Sequence, residues 1–343
     1  MRSGAAMPDK PYPLVARVMF KFKADLLAGE ADQMKTMATR WLQMETSLQS
    51  SFDALALEIE NLRLKGESIP VSKLIRMQRY RSLLDQMSLQ LSQYADFADA
   101  SISSAQREMI EMGIDHATNA IKAYYATHNR IAGGFDILPS SAIENMVGLA
   151  GDGSPLRKLL QDSWPAAVDG LTTQLIRATA LGKNPMDTAR AMRDGFGVGY
   201  NRAINIARTE QLRVYRTAAV QEYKASQLVK GYKRLSARDT RVCLACLMAD
   251  DGTIYDLDVV FEEHPQGRCT TVPVVSGLPV VEWQNGQSWF TAQTPEAQRS
   301  MMGQGVYDAW QSGSFDLADL VKRVENDTWG TSLQTTTLKE LTE

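Results

Sequence analysis

The feature that most constrains this chain is a run of apolar residues at alternating three- and four-residue spacing. Met34, Met37, Trp41, Met44 and Leu48 are spaced 3, 4, 3, 4; one extra four-residue step leads to Phe52, and Leu55, Ile59 and Leu62 follow at 3, 4, 3. Such a run puts a single apolar stripe on an α-helix and requires a surface to cover it. The extra step is a stutter, which locally unwinds a supercoil. Gly66 and Pro70 break the helix, and Leu84, Met87, Leu91 and Tyr94 restart the pattern at 3, 4, 3. Two long helices about a short Gly/Pro break predict an antiparallel hairpin. Arms of ~35 residues would reach ~50 Å at 1.5 Å per residue.

The rest of the chain divides by its punctuation. Pro8, Pro11 and Pro13 mark residues 1–15 as an extended arm, ahead of a helical hairpin region over 16–130. Residues 131–195 read as a helical connector. Within it, Ser140 caps a short helix towards Leu149, a helix through Leu171 and Leu175 stops near Gly182, and Asn184-Pro185 opens another that reaches Arg193. A core segment over 196–275 begins with a helix from Arg202 to Gln227 and turns β-rich after Gly231. Strand signals fall at Tyr232–Ser236, Val259–Phe261 and Thr271–Val275, with an Asp251-Gly252 turn between them. Residues 276–343 are expected to return to helix, over Glu296–Trp310 and Leu317–Val324, before a Thr-rich tail. The glycines at 195, 197 and 199 follow a helix and lack a phosphate-loop Lys, so they read as a helix–helix turn.

All three cysteines of the chain fall in that β-rich segment. An odd, small number argues against a disulfide scaffold. Cys243 and Cys246 form a C-x2-C turn that brings two thiolates together, and a later loop supplies His264 and Cys269. Three sulfurs and an imidazole meet the tetrahedral preference of Zn2+, and four protein ligands make the ion structural. The fold class expected is therefore mainly α with a small β-rich zinc knuckle (α+β), behind a long N-terminal helical hairpin. Ordinary buried thiols and a redox C-x2-C are the alternatives. His116 and His128 lie in helical sequence without metal spacing and read as packing residues.

Charge is uneven around the cysteines. Residues 201–240 hold nine basic residues and three acids, a net +6, whereas 247–264 hold six acids and no Lys or Arg. The two segments are suited to pairing with each other, or the basic one to nucleic acid. With a net charge of −3 the whole chain is not a polybasic binder, and with 44% hydrophobic residues it is not expected to be disordered. It reads as a protein without a membrane span or secretory leader.

The order of short motifs here resembles the phage Mu F-like head morphogenesis family, the minor head proteins of tailed bacteriophages. The residues that carry the likeness are Ile206-Ala207-Arg208-Thr209-Glu210, Val229-Lys230-Gly231-Tyr232, and Ser236 through Asp239 to Cys243 and Cys246. Asp251-Gly252-Thr253 and His264-Pro265 with Arg268-Cys269 complete it. The likeness covers roughly residues 190–275. Family members often carry a cysteine just before the Arg-Cys pair, where this chain has Gly267.

The resemblance implies a virion component, made in the host cytoplasm and housed in the head interior or portal region. Its implied partners are the phage portal protein, the major capsid or scaffolding protein and packaged DNA, with no small-molecule substrate. Around the knuckle, Arg208 is expected to pair with Asp239 and clamp the helix, with Arg268 as further support. The competing readings are a zinc-knuckle DNA binder or ejected virion protein, and a zinc enzyme or toxin. The enzyme reading finds no H-E-x-x-H, second cluster histidine or nucleophile motif.

Overall fold

The computed structural model describes residues 12–239, 242–326 and 329–342. In chain order the helices are α1 (Leu14–Leu64), α2 (Val71–Arg76) and α3 (Gln78–Thr127), then a 3₁₀ turn (Ser140–Met146), α4 (Leu156–Gln161), α5 (Trp164–Ala180), α6 (Pro185–Phe196) and α7 (Val198–Ala225). There follow β1 (Val229–Leu235), α8 (Leu244–Met248), β2 (Ile254–Tyr255), β3 (Thr270–Val275), α9 (Gly286–Thr291), α10 (Pro295–Met302) and α11 (Gln304–Gln311). A 3₁₀ turn (Leu317–Leu320), β4 (Val321–Asn326), β5 (Gly330–Thr335) and α12 (Leu338–Thr342) complete the chain. The fold is α+β and mainly helical, as the spacing predicts. The chain forms two compact units, each discontinuous in sequence. One comprises Glu30–Ala105 and Gly148–Arg208; the other comprises Met1–Gly29, Gln106–Val147 and Thr209–Glu343.

In the first unit the predicted seam is built. Met34, Met37, Trp41, Met44, Leu48, Phe52, Leu55 and Ile59 are all buried on α1, with Leu62 half-buried; on α3 Met87, Leu91 and Tyr94 are buried, while the expected Leu84 is half-buried and its neighbour Leu83 is the buried residue. Gln33 bonds the Ser101 carbonyl, Trp41 meets Tyr94, Ser51 bonds Gln86, and Glu58 pairs with Arg79. Rising numbers on one helix against falling numbers on the other make the pair antiparallel. The helices are 51 and 50 residues long, well beyond the predicted arms. Asn184 caps α6 by accepting the Asp187 N–H at 2.8 Å. Helices α5 and α6 cross backbone to backbone: a Cβ on Gly170 would fall 2.3 Å from the Gly195 carbonyl oxygen, and one on Gly195 would fall 2.4 Å from that of Gly170.

In the second unit, β1 is central in a three-stranded antiparallel sheet of order β2-β1-β3. Leu235 faces Thr270 and Tyr232 faces Pro273, with a bulge between Val229 and Gly231. Val15, Met19, Ala120 and Tyr124 from the ends of α1 and α3 pack on Leu235, Val272 and Val275 of the sheet. His116 stacks on Phe22 with centroids 4.0 Å apart and bonds the Tyr215 hydroxyl, so it packs as expected.

Four expectations fail locally. The segment after Pro139 is a 3₁₀ turn with no side-chain cap, not the expected helix capped by Ser140. Val259–Phe261 forms no strand; Val260 is 81% exposed, while Phe261 lies under the Arg234 guanidinium. The helix expected over Glu296–Trp310 is split at Gly303, whose φ is +81°. The helix expected over Leu317–Val324 is a 3₁₀ turn followed by β4, which pairs with β5 of the Thr-rich tail. Of the extended arm expected over 1–15, residues 1–11 lie outside the described residues, and α1 already begins at Leu14.

The α5–α6 crossing supplies a direct test. Gly195→Ala forces a methyl group onto the Gly170 backbone and should cost about 1–3 kcal/mol. Urea unfolding of the full chain measures it; unchanged stability would mean the crossing is looser than described.

Candidate metal centre

The site is built where β1, α8 and the loop before β3 meet. After β1, the Asp250 carboxylate closes the loop: it accepts from the Ser236 N–H at 3.0 Å, the Ser236 hydroxyl at 2.7 Å and Arg238 Nη2 at 2.6 Å. Cys243 then stands at the N-cap of α8, and Cys246 is buried in its first turn. The C-x2-C spacing thus becomes one helical turn that turns both sulfurs the same way. On the opposite side His264-Pro265-Gln266-Gly267 is a tight turn, closed by the Gly267 N–H to the His264 carbonyl at 2.9 Å, with Gln266 at φ +63°. It delivers Cys269 immediately before β3. β5 reaches the same place, since the Ala245 N–H donates to Thr335 Oγ1 and Cys243 Sγ lies 3.6 Å from that oxygen.

The donor atoms converge as two triads that share Cys246. Those of Cys243, Cys246 and His264 lie within 4.8 Å of one another, as do those of Cys246, Glu263 and Cys269. Cys/His/Glu groups able to hold a metal ion are therefore present, and between them the two triads contain all four residues predicted from spacing. Glu263 is the member that spacing missed. His264 Nδ1 lies 2.7 Å from the Pro265 carbonyl oxygen. A proton on that nitrogen leaves Nε2 as the ligating atom, the usual orientation of a metal-binding histidine.

The electrostatics prepare the thiols for a cation. Contact with Cys246 pulls Cys243 down to about 3 despite burial, with His264 assisting. Contact with Cys246 also lowers Cys269, and both contacts push Cys246 up, so one sulfur holds the proton that its neighbours share. Burial opposes a charged His264, but Cys243 and Glu263 outweigh it and raise the imidazole to about 9. Buried cations surround the sulfurs. Arg216 donates to the Gly267 carbonyl at 3.0 Å, and Arg234 bonds Glu263 at 3.2 Å and the Glu262 carbonyl. Lys23 is lowered to about 8 by burial and is drawn back up by Cys269; its Nζ has no hydrogen-bond partner among the described residues.

The support residues Arg268 and Arg208 each carry a carboxylate partner. Asp239 takes two bonds from Arg268, at 2.8 and 3.1 Å, so Arg268 clamps the base of the knuckle. Arg208 salt-bridges Glu30 at 2.6 Å within the first unit. The charged segments do pair with each other: Lys224–Asp258, Arg234–Glu263 and Arg238–Asp250 each join the basic run to the acidic one. Among the described residues no helix is long and apolar enough to cross a membrane. Comparison with protein-family models, with curated proteins and with solved structures gives no match.

Two outcomes follow from this geometry. Burial alone would raise Glu263, yet Arg234 and Arg216 hold it at about 2. An unfolded glutamate titrates near ~4.3, so this depressed group stabilises the fold above that range, and its contribution is lost as pH falls through about 2. Arg234→Ala strands the carboxylate and should cost about 3–5 kcal/mol at neutral pH. The gap between variant and parent should narrow on acidification; a pH-independent gap in urea unfolding would show that charge pairing is not the cause. Second, Cys246→Ser removes the atom that both triads share. Hydrogen exchange should quicken across 229–275 while the α1–α3 seam stays protected, and equal loss in both would make Cys246 an ordinary core residue.

Proposed function

We propose that this chain is a structural minor head protein of a tailed bacteriophage, with a zinc-stabilised knuckle and the portal protein as its principal partner. The observation that carries this reading is that Cys243, Cys246 and His264 lie together and that Cys269 adjoins them through Cys246. These residues are part of the same ordered motif series, from Ile206 to Cys269, that resembles the Mu F-like family. Zinc is the ion that three thiols and one imidazole suit best, and full ligation by protein leaves no position for an activated water. The centre would then act as a staple between α8 and the loop before β3, not as a catalyst.

The partners proposed are the portal, the capsid or scaffolding protein around it, and packaged DNA. Long amphipathic helices offer extended faces for multivalent packing in such an assembly. The pairing of the basic segment with the acidic one favours the assembly role over a free DNA-binding patch, because charges already matched within the chain add little attraction for phosphate.

Co-expression of the full chain with the portal protein of a phage of this type tests the reading. Co-sedimentation of the two proteins is expected, with little change between low and moderate salt. A chain that sediments alone and binds DNA with a steep salt dependence would favour the knuckle as a DNA-binding module. A hydrolase or transferase activity abolished by Cys243→Ser or His264→Ala would overturn both readings.

A further inference from the structure

The geometry points to Glu263 as a direct ligand of the bound ion, giving the centre three sulfurs, one imidazole nitrogen and one carboxylate oxygen. This rests on the reading of the cluster as a metal centre and goes beyond the four ligands set by spacing. The first observation is position. Glu263 Oε1 lies 2.8 Å from Cys246 Sγ and 3.6 Å from His264 Nε2, and a carboxylate oxygen of Glu263 lies within 4.8 Å of Cys269 Sγ. Glu263 therefore neighbours donors of both triads.

The second observation is the space that the carboxylate occupies. A Cβ built on Gly267 would fall 2.1 Å from Glu263 Cγ, 2.2 Å from Cδ and 2.4 Å from Oε1. Any side chain at 267 would collide with this carboxyl group, so glycine there is the cradle that lets Glu263 fold in among the sulfurs.

The third observation is the division of labour between the two oxygens. Oε2 is held by Arg234 at 3.2 Å, and Oε1 faces Cys246 and also accepts the His264 N–H at 3.1 Å. The Glu263 side chain is 4% exposed, so its direction is set by protein packing. Cys246 donates its thiol hydrogen to Oε1 across that 2.8 Å contact, and a cation that takes the proton's place would bind the sulfur and the oxygen together, as two ligands on one ion. The resulting centre is anionic, and the buried Arg216, Arg234 and Lys23 offset that charge. Such a mixed sulfur, nitrogen and oxygen set suits a borderline divalent cation such as zinc or cobalt(II).

X-ray absorption of the full chain loaded with zinc decides this in the wild-type protein. The expected first shell has sulfur at about 2.3 Å and two lighter donors at about 2.0–2.2 Å, of which only one shows imidazole scattering. In the cobalt(II)-loaded chain, Glu263→Gln should shift the visible bands. Gly267→Ala, which drives the carboxylate out of its cradle, should shift them in the same direction. A wild-type shell accounted for by sulfur and one imidazole alone would overturn the assignment, even if Glu263→Gln fails to fold. Cobalt spectra of Glu263→Gln and parent that superimpose would overturn it as well. A wild-type chain that takes up no stoichiometric zinc or cobalt would remove the metal centre itself, an outcome distinct from a bound ion that lacks the carboxylate.

Discussion

Buried charge has to be balanced, and around the cysteines the balance depends on the sulfurs. Lys23, Arg216 and Arg234 are each less than a tenth exposed, and Glu263 is the carboxylate buried among them. The pairs Arg268–Asp239 and Arg238–Asp250 already neutralise themselves. The remaining cations are left in excess unless thiols ionise, and an ion held by those thiolates restores a net charge that the cations can offset. The loops then follow: the N-terminal turn of α8 presents Cys243 and Cys246, the turn at Gly267 presents His264 and Cys269, and Arg216 reaches from α7 to pin that turn through its carbonyl groups. Breaking the charge balance would disturb three elements at once, because α8, the Gly267 turn and Arg216 of α7 all meet at these buried charges.

The helical seam rests on different physics. Between residues 34 and 59 almost every contact is apolar, and long helices gain stability by burying one stripe against a partner. Polar groups act there as register marks. Tyr94 donates to the Met37 carbonyl, and Ser51 meets Gln86. The first unit is therefore expected to be indifferent to chelators and reducing agents, whereas the knuckle is not.

The seam was legible because a 3–4 spacing has one physical solution in water once a partner helix follows a Gly/Pro break. The cap at Asn184 and the strands β1 and β3 were legible for similar local reasons. The β4–β5 hairpin was not: Leu317, Leu320, Val321 and Val324 are spaced as on a helix, and only pairing with a Thr-rich tail distant from any strand signal makes 321–326 extended. At the site, spacing found the thiols and the imidazole, since their chemistry is carried by residue type. Glu263 was hidden in a run of six acids read only as a whole, as the counterpart of the basic segment, and its burial depends on Arg234 from β1 and on the absence of a side chain at Gly267. Arg268, expected only as further support, is bonded to Asp239 by two hydrogen bonds, a geometry that residue order alone does not specify.

Elemental analysis of the full chain, purified without added metal and without chelator, tests the metal centre most directly. About one equivalent of zinc per chain is expected, retained on dialysis and lost together with the fold of the knuckle on prolonged chelation. A folded chain that contains no stoichiometric metal, and that takes up none when zinc is offered under reducing conditions, would contradict it.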